Sequence, residues 1–255
     1  MEDDIRFHEY KKWDFSNSLV LTSFPTIGLV STIAGSFLVR TLEMELVGAI
    51  VSSRLPPVAL IHEGKVSPAF RIYSTSQKCG PDNECDQLTV LLSEFMPRAD
   101  AIEPLAVKVL NWAVEKDVGF FVSLEGVNSP VPLVGDPKVF GVGSTARTQK
   151  LIKEYGLEPL KEGMVSGFPG VLLYLAAMKD QGVLALLSET RPDFPDARAA
   201  ARMLEVLGKM VPNLRIDPEP LLKEAELIEQ QILESIENAK PSSPAVPEMP
   251  STMYG

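Results

Sequence analysis

The sequence predicts an α/β fold: a mostly parallel sheet between two layers of helices, with an inserted hairpin and a flexible C-terminal tail. Three observations carry this reading. Apolar runs of strand length recur at 19–21, 46–51, 118–124 and 182–187. Between them, apolar residues return every three or four positions, as Leu29, Ile33 and Phe37 do beside Val30, Ala34 and Leu38. The first elements read strand, loop, helix, strand, and such a βαβ unit makes its two strands parallel.

Residues 1–17 are polar with scattered aromatics (Phe7, Tyr10, Trp13, Phe15) and read as a short N-terminal arm lying on a domain of residues 18–239. The strand at 19–21 ends at Phe24-Pro25, because proline fixes its own φ and pushes Phe24 into an extended conformation. A tight loop runs to Gly28, and a helix is expected from Leu29 to about Leu42. Segments 58–63 and 69–75 read as a hairpin about Glu63-Gly64-Lys65. A strand is expected at 87–93. A helix follows, opened by a capping box of Asp100 and Glu103. A further strand is expected at 139–142 and a polar helix at 145–155. A second Phe-Pro, Phe168-Pro169, leads into a helix from Val171 to Lys179. Asp193 is expected to cap a helix at 195–209, and Asp217-Pro218 to open a last one with Leu221, Ala225, Ile228, Ile232 and Ile236 on one face. That apolar face suggests self-association.

The formal net charge of −10 argues against nucleic acid or an anionic membrane as a partner. No apolar run has the length of a membrane span, and Met1-Glu2-Asp3-Asp4 is not a secretory start, so a cytoplasmic location is expected. With two cysteines and two histidines, a disulfide scaffold and an all-protein zinc site are disfavoured, and no metal or cofactor is expected. Cys79 and Cys85 share a loop rich in turn formers, where a local disulfide or a shared metal is conceivable and two free surface thiols are the favoured reading. A nucleophilic device would need His8 or His62, and no G-x-S-x-G elbow is present.

Two loops have the placement of a ligand site. Phe24-Pro25-Thr26-Ile27-Gly28 lies between a strand end and a helix start, where a phosphate can sit; it matches neither a P-loop nor a dinucleotide fingerprint, and reads first as a packing turn. Gly143 and Ser144 also follow a strand and precede a helix, and read first as a glycine turn with Ser144 or Thr145 as N-cap. Glu189 at a strand end reads as polar closure, meeting an arginine such as Arg191 or Arg198. The chain ends Met253-Tyr254-Gly255 after a linker holding Pro241, Pro244, Pro247 and Pro250. A stiffened linker with an apolar, aromatic tip and a terminal carboxylate is either a docking peptide or a plain chain end. The residues alone leave both readings open.

The motifs Phe24-Pro25-x-x-Gly28-Leu29-Val30, Leu55-Pro56-Pro57, Gly64 before Arg71-Ile72-Tyr73, Gly167-Phe168-Pro169-Gly170, Glu189-Thr190 and Pro192-Asp193 occur in an order that resembles the proteasome assembly chaperone family of archaea and some bacteria. The likeness runs from Leu19 to Leu233. Thr26 and Ser31 depart from it, standing where glycine is common. The resemblance implies a nucleoside-phosphorylase-like α/β domain that is not an enzyme, homo-oligomers with flexible tails, and ATP-independent binding to 20S proteasome α-subunits. It also implies that Met253, Tyr254 and Gly255 form a hydrophobic-tyrosine-any docking tip. The Gly255 carboxylate would meet a basic residue between neighbouring α-subunits, Tyr254 would bury its ring, and Met253 would fill an apolar slot. The competing reading is an enzyme acting on a nucleoside or phosphate ester, with Gly28, Ser144 and Glu189 as its residues.

Overall fold

The computed structural model describes residues 4–62, 64–79, 85–128, 135–192 and 195–223. Strand β1 (Arg6–Glu9) precedes β2 (Ser18–Ser23), and the chain turns into α1 (Val30–Thr41) and then β3 (Glu45–Val51). Next come β4 (Ala59–His62), β5 (Lys65–Pro68), β6 (Phe70–Thr75) and β7 (Gln87–Leu92). The second half holds α2 (Ala99–Glu115), β8 (Phe120–Asn128), β9 (Val139–Gly143), α3 (Ala146–Glu154), β10 (Glu158–Pro159), α4 (Gly167–Met178), β11 (Val183–Thr190) and α5 (Ala197–Met210).

Among the described residues, nine strands form one sheet in the order β1-β3-β6-β7-β2-β8-β11-β9-β10. Parallel pairing joins β7, β2, β8 and β11 at the centre and recurs at the edge between β9 and β10; the remaining pairs are antiparallel. Every residue of β2 and of β7 is buried, because helices cover both faces there. The expected β2-α1-β3 unit is present, with β2 and β3 pointing the same way. The two are not neighbours: β7, parallel to β2, and β6, antiparallel to both β7 and β3, lie between them.

The two faces bury separate cores. On one side Leu21, Val122, Leu184 and Leu186 pack under α1 and α5, with Phe37, Leu38, Leu204 and Leu207. On the other, Val20, Leu91, Phe121 and Val183 pack under α2 and α4, with Leu105, Val109, Phe168 and Leu172. The N-terminal arm is more than a surface cover. It supplies edge strand β1, paired with β3, and Phe7 and Phe15 each place a ring 5.0 Å from that of Trp112.

Several local expectations are corrected. The inserted hairpin is β4 with β5; residues 70–75 belong instead to the main sheet. The capping box at Asp100 does not form: Arg98 is the N-cap of α2, and its guanidinium pairs with the Asp100 carboxylate at 3.1 Å. Phe168-Pro169 lies inside the first turn of α4 rather than before it, since Gly167 with φ +71° begins the helix. Asp196, not Asp193, caps α5, accepting from the Ala199 amide at 2.9 Å. Cys79 and Cys85 are neither exposed nor free. They are 0% and 4% exposed, joined to each other, and their backbones form a β-bridge that closes the loop. The reading from loop composition failed because the two cysteines are its stem and point inward. The chain is helical again at 219–223, where Leu221 is buried. Ala225, Ile228, Ile232 and Ile236 lie outside the described residues.

Candidate functional site

In a sheet of this kind the carboxyl ends of the parallel strands open onto loops, and a crevice forms there. Here β2 delivers Pro25, Thr26 and Ile27, β8 delivers Glu125 to Asn128, and β11 delivers Glu189. The start of α4, from Ser166 to Pro169, closes one side, with Met96, Leu160 and Met164 at the rim. The enclosed cleft measures about 560 Å³. Among the described residues that line it, none is Lys, Arg or His.

Glu125 sits at the base. It is only 4% exposed, and burial pushes its carboxyl well above the ordinary glutamate range, against a lesser opposing effect of the Ser123 hydrogen bond. The Ser123 hydroxyl donates to Glu125 Oε1 at 2.7 Å, and Thr22 Oγ1 lies 3.0 Å behind Ser123 Oγ. Thr22 and Ser123 are register partners on adjacent strands, so this polar file is set by strand pairing. Glu125 is a residue that the sequence analysis missed. Its signal was the single charged residue in the strand β8.

The Phe24–Gly28 loop is a packing device with one wall facing the cleft. Phe24 is buried against Phe70 at 5.6 Å and Phe168 at 4.4 Å between ring centroids, while Pro25 lines the cleft. Thr26 Oγ1 accepts from the Gly126 amide at 3.1 Å, which gives this departure from the family pattern a structural task. Gly28 has φ +64°, and a Cβ there would lie 2.2 Å from Thr190 Oγ1. Its carbonyl accepts from the Asp196 amide at 2.8 Å, tying the loop to the start of α5.

Gly143 and Ser144 are not part of this arrangement. Strand β9 runs antiparallel to β11, so its carboxyl end pairs with Leu184 at the opposite end of the sheet. Ser144 is used there as a staple: its Oγ donates to the Gln181 carbonyl at 2.6 Å and accepts from the Val183 amide at 2.8 Å. Thr145 rather than Ser144 is the N-cap of α3, in a capping box with Thr148. The residues of the enzyme reading are therefore divided, with Gly28 and Glu189 at one end and Ser144 at the other. Glu189 Oε2 accepts from the Lys138 amide at 3.2 Å. Among the described residues no three His, Cys, Asp or Glu side chains are grouped to hold a metal ion, and no helix is long and apolar enough to cross a membrane. Met253, Tyr254 and Gly255 lie outside the described residues.

The pattern of the PAC2 family matches residues 20–236. The chain belongs to the PAC2 family. A relative from Methanocaldococcus jannaschii, the uncharacterised protein MJ0106, is 31% identical over 237 residues, or 93% of each chain. The crystal structure of Pyrococcus furiosus PbaA, an archaeal homologue of proteasome-assembly chaperone, is similar with 31% identity and a TM-score of 0.80 over 92% of both chains. Pyrococcus furiosus PbaB, an archaeal proteasome activator, shares the fold at 23% identity, with a TM-score of 0.77 over 92% of this chain and 99% of that one. Within this PAC2 chain the Phe-Pro-x-x-Gly motif thus holds the sheet's carboxyl end together, and the cleft lies beside it.

Proposed function

We propose that this protein is an ATP-independent, non-enzymatic chaperone or activator of the proteasome that binds 20S α-subunits. The likeness to PbaA, at 31% identity over 92% of both chains, carries the reading. The docking element in this reading is Met253, Tyr254 and Gly255, which follow a linker holding four prolines in the sequence. One tip is a weak ligand. In a homo-oligomer several tips act together, and their effective concentration raises the affinity without any new contact. Helix α4 supports self-association: it carries no charged residue and leaves Tyr174 and Met178 47% and 79% exposed. A cytoplasmic location goes with this function. The enzyme reading lacks support, because its residues are divided and the described residues lining the cleft include no cation to hold a phosphate.

The test is capture of purified 20S proteasome by the full chain and by a chain ending at Thr252. Loss of capture on truncation assigns docking to the tip. Capture by both moves the interface onto the folded domain. Capture by neither overturns the proposal.

A further inference from the structure

The cleft over Glu125 is unaccounted for by docking through the tail. Its floor is an acid 4% exposed that lines the cleft, and whose one hydrogen-bond partner among the described residues is Ser123 through Oε1. Oε2 is left for whatever enters. Oε2 opens onto the space of the cleft, where a ligand can pair with it. We propose that this cleft binds a small uncharged molecule that presents a carbonyl or amide oxygen to Glu125.

The walls define the chemistry. Ile27, Met96, Phe140, Leu160 and Met164 give apolar contact, and the two methionines adapt to irregular shapes. Among the described residues the other titratable lining groups are Glu162 and Glu189, with no cation beside them, so an anion is repelled. The first turn of α4 lines the same space, and its N-cap Ser166 makes no side-chain cap bond, so backbone N–H groups there also favour an acceptor. A cation is disfavoured by that helix start, and burial penalises the charged form of Glu125 that would attract one. An uncharged acceptor meets all of these conditions.

The probes are benzamide, benzoate and benzamidinium, one shape in three charge states. Binding is followed by amide chemical shifts of the full chain. Benzamide is expected to bind most tightly and to perturb Gly126 and Gly167. Glu125→Leu should weaken it by about tenfold, the loss of one buried hydrogen bond. Glu125→Gln should retain it, because the side-chain amide still donates. Wild-type affinity should fall as pH rises through the Glu125 titration, and that of Glu125→Gln should stay flat. If Glu125→Leu does not fold, the pH comparison with Glu125→Gln decides together with Ile27→Ala, at a half-exposed wall position, expected to weaken benzamide about threefold. No benzamide binding, tighter binding of either charged probe, or affinity insensitive to both Glu125 and pH overturns the proposal. These outcomes are independent of proteasome capture.

Discussion

The rings of Phe24 and Phe168 lie 4.4 Å apart, tilted by 44°. Each is followed by a proline, and the two Phe-Pro pairs, far apart in sequence, meet beneath the cleft. Phe24 ends a strand and Phe168 starts a helix, so their contact fixes the loop after β2 against the entry of α4. Replacing either by alanine is expected to cost ~3–5 kcal/mol. The double variant should cost less than the sum, by about 0.5–1.5 kcal/mol of ring–ring coupling. Denaturant unfolding of the four proteins measures this; strict additivity would show that the rings share a core without interacting.

Gly28 and Leu29 both have positive φ, of 64° and 51°, yet opposite outcomes are expected from changing them. At Gly28 a methyl group meets Thr190, which the Asp196 carboxylate holds in place at 2.9 Å. Gly28→Ala should therefore destabilise by more than about 1 kcal/mol. Leu29 is 42% exposed and carries left-handed strain with little packing to lose, so Leu29→Gly should be neutral or stabilising by about 0.5 kcal/mol. Thermal unfolding of the two variants distinguishes them, and equal destabilisation would contradict this account.

The architecture was legible because buried parallel strands leave unbroken apolar runs such as Val183 to Leu187, and α1 shows its period plainly. What was not legible depends on contacts between distant residues. Nothing local says that β6 and β7 would be inserted between β2 and β3, since strand order is settled by which edges remain open. Asp193 and Asp196 are equally good caps on paper; Asp196 is the cap because its carboxylate also receives the Thr190 hydroxyl and the Arg191 amide. Ser144 and Gly28 looked alike as strand-to-helix turns, and only the reversed direction of β9 separates them. Glu125 acquired meaning from its burial, which a lone acid in a strand does not reveal.

The joined pair Cys79 and Cys85 gives a further expectation. Closing so short a loop restricts the unfolded chain by about 2 kcal/mol in the loop-entropy account. Unfolding in the presence of a strong reductant should lower stability by that order, and Cys79→Ser with Cys85→Ser should remove the sensitivity to reductant. Because both residues are buried, the substituted hydroxyls add their own cost. Unchanged stability on reduction would mean that the pair contributes through packing alone.

Glu125 makes stability depend on pH in a direction opposite to that of most carboxyl groups. Its folded pKa is raised above the ordinary value of 4.5 because burial disfavours the charged form. Between those two values the folded chain holds a proton that the unfolded chain has released. Stability therefore falls as pH rises through that window, and each unit of separation is worth about 1.4 kcal/mol. Below the unfolded pKa both states are protonated and the penalty is absent. Glu125→Gln keeps an uncharged polar side chain of the same size beside Ser123. It should thus match the wild type near pH 4 and exceed it at pH 8, and the difference between the two unfolding curves should grow across the interval. A constant difference at all pH values would mean that the carboxyl titrates alike folded and unfolded, and that the protein tolerates a charge at the base of the cleft.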